Sequence, residues 1–380
     1  MSLLFLAHRA PFAPDRGDRI RSYHVLRHLA VRMPVHLVTF ANRAGETPPS
    51  GLASCTVVPL IKPHWRAAAQ ALATGQPVSL TAFADPAFRA AVAAVMARHR
   101  PDSAYVFSGQ MAQHVPHGLP FVMDFVDVDS AKFAALGGPL AWLYAREARL
   151  LAAEERRIAA RAGASLFVSA AEAALFGEHG RVMTVENGVD TTFFDPAAAL
   201  PVAGGAEIVF TGQMDYAPNV EAAGWFARDI LPLVRQRHPD VRFAIVGRAP
   251  TAAVRALAAL PGVEVTGAVA DVRGHLAAAS VAVAPLRLAR GIQNKVLEAM
   301  AMARPVVTTR AAAEGIDHAG TLRIADTDEA FARTVADLFG ARAERQAIGK
   351  AARAQVIRRY GWAAALAPLH ALYPPCQAAA

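Results

Sequence analysis

Short apolar runs alternate along the chain with longer stretches whose apolar residues recur at helical spacing. Runs at 2–7, 35–40, 55–60, 102–108, 121–124, 164–169 and 182–185 have the length and near-continuous hydrophobicity of strands buried on both faces. A second series follows at 207–212, 242–247, 263–267, 281–285, 306–309 and 322–325. Between the first two runs, Ile20, Tyr23, Leu26 and Leu29 mark a helix that Asp15 or Asp18 could cap. Residues 62–100 read as helical, with a loop at 75–77. Residues 139–162 read as a long amphipathic helix, with Arg146, Glu147, Arg149, Glu154, Glu155 and Arg157 mostly on a solvated face. Strand–helix alternation of this kind predicts a doubly wound α/β domain, and here it runs twice. The Pro/Gly/Ala-rich stretch 195–206 reads as a linker. The expected organisation is an N-terminal domain over 1–190, a linker over 191–206, a C-terminal domain over 207–355 and a closing helical segment over 356–380.

Composition changes this picture little. At 380 residues, 54% hydrophobic and 18% charged, the chain is long enough for two well-buried domains. The formal net charge of +8 is spread through both halves. Basic runs interleaved with aromatics are absent, which argues against a nucleic-acid partner. A mild basic excess suits phosphate ligands and anionic membrane surfaces. Cys55 and Cys376 have no neighbouring Cys or His set, so neither a disulfide framework nor a zinc site is expected. The opening apolar run is too short for a signal peptide and no run reaches the length of a spanning helix, so a cytoplasmic protein is expected.

The most informative stretch is VAVAPLRLARGIQNKVLEAMAMARPVVTT, residues 281–309. A strand leads into a short basic loop. Gly291 is expected to open a helix bearing Lys295 and Glu298, almost its only charges. Three apart, they share a face. Parallel α/β sheets bind ligands at such loops, and helix-start amides with nearby cations suit phosphate. A cation near the helix start and a carboxylate one turn on could hold a nucleotide's diphosphate and ribose hydroxyls.

Elsewhere, DFVDVDSAKF places Asp124, Asp127 and Asp129 where strand gives way to helix. A divalent metal site, hydrogen bonding to sugar hydroxyls and helix capping by Asp129 or Ser130 are all open to it. Capping does not account for Asp127, which reads as a ligand contact. Gly17 serves either the first turn alone or a close phosphate approach; GxGxxG is absent. Asn187-Gly188-Val189-Asp190 marks a tight turn after a strand.

The order of PDRGDRIRSYHVLRHL, NGVD with Phe193 and Pro196, FTGQMDYAPN, FAIVGRAP, VEVTGAVADV and APLRLARGIQNKVLEAMAMARPVV resembles the family-4-type glycosyltransferases of GT-B architecture. More narrowly, DFVDVDSAKF, FTGQMDYAPNVEA and ARGIQNKVLEAMAM are similar to sugar transferases of bacterial exopolysaccharide and exosortase (PEP-CTERM) gene sets. The resemblance covers nearly the whole chain and is loosest between 42 and 118. It implies an α/β fold of two Rossmann-like parallel-sheet domains facing a cleft. It implies retaining, metal-independent transfer of sugar from a UDP-, GDP- or ADP-sugar to a glycan or lipid-linked acceptor, with no cofactor. Exopolysaccharide assembly and peripheral attachment to the inner face of the membrane would fit.

Carried over by position, Glu298 matches the ribose-binding glutamate, and Arg287 and Lys295 match basic residues near the diphosphate. Gly291, Ile292, Gln293 and Asn294 would face donor phosphate or sugar. Gly212, Gln213 and Arg248 fall on the donor side, Ala268 and Val269 where backbone meets the base, and Gly17 opposite the diphosphate. Asp127, with Arg287 and Lys295, completes the implied catalytic set, and Asn187, Gly188 and Asp190 form the implied interdomain motif. The closing segment would place Trp362 and Tyr373 on the first domain.

The sequence also departs from the family. Arg290 stands where the first of two glutamates eight apart is usual. Gln213 and Asn219 replace an Arg…Lys pair. A His-Asp pair is here Val126-Asp127, with His8 and His114 as stand-ins, each more readily a solvated loop or helix residue. These departures leave room for a non-catalytic sugar-nucleotide-binding partner in an assembly complex and, third, a nucleotide-sugar epimerase.

Overall fold

In a computed structural model the described residues are 1–12, 17–41, 48–198, 200–201, 205, 207–289 and 292–374. They fall into two compact units, residues 1–187 with 365–380 and residues 188–364.

The first unit is a seven-stranded parallel sheet: β1 (Leu3–Ala7), β2 (Val35–Ala41), β3 (Ser54–Pro59), β4 (Ser103–Phe107), β5 (Phe121–Val126), β6 (Ala164–Phe167) and β7 (Val182–Thr184), in the order β3-β2-β1-β4-β5-β6-β7. β1 and β4 are buried along their whole length, as two-sided coverage by helices requires. The second unit is a six-stranded sheet: β8 (Ile208–Thr211), β9 (Phe243–Val246), β10 (Val263–Gly267), β11 (Val281–Ala284), β12 (Val306–Thr308) and β13 (Leu322–Ile324), in the order β10-β9-β8-β11-β12-β13. Every pairing in both sheets is parallel. Each order reverses once, between β1 and β4 and between β8 and β11. At such a switch point the crossovers leave in opposite directions and open a crevice at the carboxyl ends of the strands.

Each expected strand forms. The differences lie in the helices and the closing segment. The Asn294–Ala301 helix begins at Asn294, while Gly291 and its neighbour Arg290 lie outside the described residues, as do Asp15 and Cys376. Neither Asp129 nor Ser130 caps the Asp129–Ala134 helix: Val128 stands at the cap. On the Ala141–Arg161 helix, Glu147 and Glu155 are buried rather than solvated. Glu147 accepts from the backbone of Val78 and Ser79 at 2.9 and 2.8 Å, closing the start of the Val78–Thr81 helix. Glu155 accepts from the backbone and hydroxyl of Ser130. Burial raises the Glu155 pKa, and the Ser130 bonds oppose that rise.

Residues 188–206 group with the second unit, and the return to the first begins at 365. Tyr373 is buried there and donates to the Ala104 carbonyl at 2.8 Å. Trp362 belongs to the second unit: a Cβ on Gly188 would lie 2.7 Å from the Trp362 Cα. Only glycine admits that approach. Among the described residues no helix is long and apolar enough to cross a membrane.

Candidate functional site

The second unit concentrates candidate residues at the carboxyl end of β8, beside the β8/β11 switch point. Gly212 follows β8 directly, and its N–H donates to the Val246 carbonyl at 3.0 Å. The next turn is locked to the turn after β9: Met214 N–H donates to Arg248 O at 2.9 Å, and Arg248 Nη2 donates to Gln213 Oε1 at 2.9 Å. Gly247 allows the two turns to touch. A Cβ there would fall 1.6 Å from the Gly212 carbonyl oxygen.

Asn219, on the Ala217–Trp225 helix, is buried and points back into this turn. Its Nδ2 donates to the Gln213 carbonyl at 2.8 Å, and its Oδ1 accepts from Lys295 Nζ. A Cβ on Gly212 would lie 2.9 Å from Asn219 Nδ2 and 3.5 Å from Lys295 Nζ, so glycine keeps the position open. Lys295 Nζ also lies 5.1 Å from the ring centroid of Phe210, a cation–π contact with the last apolar residue of β8. An ammonium has three donors. Asn219 takes one, and the aromatic face shields another side of the charge.

Burial pulls the Lys295 pKa down to about 8, against the opposing effect of Glu298. Burial pushes the Glu298 carboxyl up to about 7, and Lys295 counters this. Among the described residues no donor is hydrogen-bonded to the Glu298 carboxylate. A half-buried cation and a half-buried carboxylate therefore stand one turn apart, both short of the partners their charged forms want. A ligand carrying phosphate and vicinal hydroxyls would supply both.

Arg287 belongs to a different cluster. Its guanidinium lies 4.2 Å from the Trp225 ring centroid and 3.9 Å from Asp328, which accepts from Trp225 Nε1 at 2.6 Å. Ala268 and Val269 follow β10, where Gly267 has φ +69° and the register with β9 shifts. Ile292 and Gln293 are half-buried just before the Asn294–Ala301 helix, and Asn294 is exposed at its start. The structure thus brings Gly212, Gln213, Arg248, Lys295 and Glu298 together on one edge; Arg290 and Gly291 fall outside the described residues.

In NGVD, Asp190 Oδ1 accepts from the N–H groups of Thr192 and Phe193 at 3.1 and 2.9 Å, an Asx-type turn. Val189 N–H donates to Tyr360 O at 2.7 Å. Arg273, paired with Asp271, lies 3.7 Å over the Phe193 ring. These contacts give the Gly188–Phe193 part of the motif a local structural role.

In the first unit the three carboxylates of DFVDVDSAKF separate. Asp124 is fully buried and accepts from Arg21 Nε and Nη2 at 2.9 and 3.1 Å and from Tyr105 Oη at 2.6 Å. Arg21 also donates to Val185 O at 2.7 Å and Asn187 Oδ1 at 3.1 Å. Burial disfavours the Arg21 charge, but Asp124 outweighs it and the pKa is raised. Burial, with Asp124 beside it, drives the Tyr105 pKa well up. Asp127 and Asp129 instead clamp Lys132 at 2.7 and 3.1 Å. Among the described residues no three His, Cys, Asp or Glu side chains gather to hold a metal ion.

Asp127 follows Val126, whose φ of +72° is rare for a β-branched residue and coincides with a register shift between β5 and β6. Ser108, just past neighbouring β4, has φ +75°. Backbone strain of about 1–3 kcal/mol per residue is characteristic of site-forming segments. His8 packs between Phe107 and Phe83, with ring centroids 5.9 and 5.8 Å away. His114 is buried with Nε2 2.7 Å from Phe83 O, and burial lowers its pKa. Neither is a solvated loop or helix residue. Gly17 opens the Gly17–Ala30 helix after β1.

Phe210, Gly247 and the Arg21–Asp124–Tyr105 network escape the sequence reading. Gly247 was visible only as a strand end, and Arg21 sits in a run of charges that looks solvated.

Residues 205–340 match the family model described as glycosyl transferases group 1. A comparison with the curated proteins found no match. Among solved structures the chain is similar to sucrose-phosphate synthase from Thermosynechococcus elongatus, at 16% identity over 98% of each chain with a TM-score of 0.62. It is similar to WaaG, a glycosyltransferase involved in lipopolysaccharide biosynthesis, at 17% identity over 98% of this chain and 100% of that one, TM-score 0.62. It is also similar to Anabaena HepE in complex with UDP and glucose, at 14% identity over 97% and 98%, TM-score 0.60. At these identities the likeness is one of fold: two Rossmann-like parallel-sheet units of the GT-B class.

Proposed function

We propose that this chain is a group 1 glycosyltransferase that moves a sugar, with retention and without a metal ion, from a nucleotide-sugar to a hydroxyl of a lipid-linked or polysaccharide acceptor. The observation that carries the reading is the Lys295–Asn219 contact at the carboxyl end of β8, with Glu298 one turn away and short of donors. The family match over residues 205–340 spans the same edge. The HepE structures hold UDP and UDP-glucose, which supports a uridine nucleotide as the first donor to test.

On this reading Glu298 accepts from the ribose hydroxyls. The amides around Gly212, Gln213 and Ile292–Asn294 face the diphosphate or sugar, and Ala268 and Val269 flank the base. As the glycosidic bond breaks, negative charge grows on the leaving phosphate. A preplaced ammonium stabilises that charge more than the ground state, which lowers the barrier. Asn219 fixes Lys295 in place, so the loss of the usual basic pair at Gln213 and Asn219 is offset by positioning. Arg287 supplies a second cation once it leaves Trp225, and Arg290 tunes the donor sugar. Asp127 serves the acceptor side, released from Lys132. Exopolysaccharide assembly at the cytoplasmic face of a membrane is the setting the family resemblance favours.

The test is release of nucleoside diphosphate from UDP-, GDP- and ADP-sugars, with and without membrane extract as acceptor. Acceptor-dependent release is expected. Binding with no release for any donor would instead make the chain a sugar-nucleotide-binding partner. Isomerised donor without acceptor would make it an epimerase.

A further inference from the structure

Three helices of the first unit line a cavity that the donor and acceptor residues leave unused: Asp129–Ala134, Ala141–Arg161 and Ala170–Phe176. Its volume is about 270 Å³. That is room for roughly nine water-sized groups at about 30 Å³ each.

The residue types explain why the space is open and what would fill it. Ala148 and Ala152 stand one turn apart on the long helix, and Ala131 and Ala134 one turn apart on the short one. Much of the wall is therefore methyl groups, too short to meet across the gap. Phe176 adds a buried ring, and Leu175, which also lines the space, is 59% exposed. Such a surface gives water few partners, so an apolar body gains by displacing it.

The charges around it divide by sign. Arg149, Arg156 and His179 line the cavity and are exposed. Seven residues apart, the two arginines lie on one stripe of their helix. Neither has a hydrogen-bond or ion-pair partner among the described residues, whereas Arg157 beside them pairs with Glu154 at 2.8 Å. The carboxylates of the same elements are mostly engaged elsewhere. Glu155 lines the cavity but accepts from the backbone and hydroxyl of Ser130. Glu172 accepts from the Val128 N–H at 2.7 Å, Glu147 from Val78 and Ser79, and Asp129 pairs with Lys132. Glu178 is exposed, next to His179 in the chain but outside the lining. The one carboxylate in the lining is thus already satisfied, and the unpartnered charges of the lining are positive. A guanidinium meets a carboxylate or phosphate through charge-assisted, often paired hydrogen bonds.

We propose that this cavity binds a small amphipathic anion, with an aliphatic chain of about eight carbons against the alanines and a carboxylate or phosphate head against Arg149 and Arg156. The proposal stands apart from the transferase reading, because none of these residues belongs to its donor or acceptor set.

The test is calorimetric titration of the full chain with octanoate, with n-octyl phosphate and with neutral octanol. Both anions are expected to bind, the tighter of them naming the head group, and octanol to bind at least about tenfold more weakly. Arg149→Gln with Arg156→Gln should weaken the anions by roughly tenfold or more and leave octanol unchanged. Ala152→Phe fills the space and should abolish binding of all three. Arg157→Gln, at the paired arginine of the same helix, should change nothing. The arginines are exposed, so their replacement leaves a folded chain and decides the question even if Ala152→Phe does not fold. The proposal is overturned if neither anion binds, if octanol binds as tightly as octanoate, or if the double arginine variant or a folded Ala152→Phe chain binds octanoate like the wild type.

Discussion

A Cβ on Gly247 would lie 1.6 Å from the carbonyl oxygen of Gly212. The ends of β8 and β9 are thus in backbone contact, and everything on the β8 turn depends on it. Gly247→Ala is expected to destabilise the protein by about 2–4 kcal/mol, because backbone rather than a flexible side chain must move. Gly267→Ala is the control: its φ is also positive, but no atom lies within 4 Å of the added carbon. It should cost only about 1 kcal/mol of backbone strain. Urea denaturation of both variants checks the contrast.

Lys295→Met should weaken UDP binding by roughly ten- to hundredfold, the loss of one charge-assisted hydrogen bond of about 1.5–3 kcal/mol. Arg287→Met should weaken it less, because Arg287 is held by Trp225 and Asp328. Calorimetric titration of the two variants ranks them. If Arg287→Met proves the more damaging, the placement of the diphosphate is wrong.

Nucleotide binding should have a bell-shaped pH dependence. Glu298 accepts ribose hydroxyls best when ionised, so affinity rises as pH passes about 7. Lys295 serves phosphate only when protonated, so affinity falls above about 8. Stability has its own signs. From pH 4.5 to about 7 the folded chain holds the Glu298 proton more tightly than the unfolded chain, so this group's contribution falls as pH rises. From about 8 to 10.5 the unfolded chain holds the Lys295 proton more tightly, so that contribution rises with pH. Asn219→Asp places a carboxylate beside the ammonium and should move the alkaline limb of the binding profile upward. An unmoved limb would remove Lys295 from the titration.

Asp124→Asn should lower stability by about 3–5 kcal/mol, since it strands the buried Arg21 charge. Arg21→Met combined with Asp124→Leu should lose far less than the two single changes together. Denaturation of the three variants forms a double-mutant cycle.

Strands were legible because burial on both faces writes itself into sequence as continuous apolar runs, as in LLFLA of β1 and VAVA of β11. Lys295 and Glu298 stood out because charge is rare on an otherwise apolar helix. What could not be read depends on distant partners. Arg21 looks solvated in GDRIRSYH until Asp124, 103 residues away, folds onto it. Glu147 and Glu155 fit a solvated helical face by period alone; the backbone donors of Val78, Ser79 and Ser130 come from other elements and bury them. Gly247 reads as the end of a strand until β8 and β9 are laid side by side.

The bond from Tyr373 to Ala104 joins residues 269 apart in the chain. Residues 188–364 form a unit of their own, made between these two partners. During synthesis the second unit therefore has all of its strands before the first has all of its contacts. The unit that begins the chain is the last to be completed, and a stalled or trimmed carboxyl end would leave the amino-terminal unit, rather than its neighbour, unfinished.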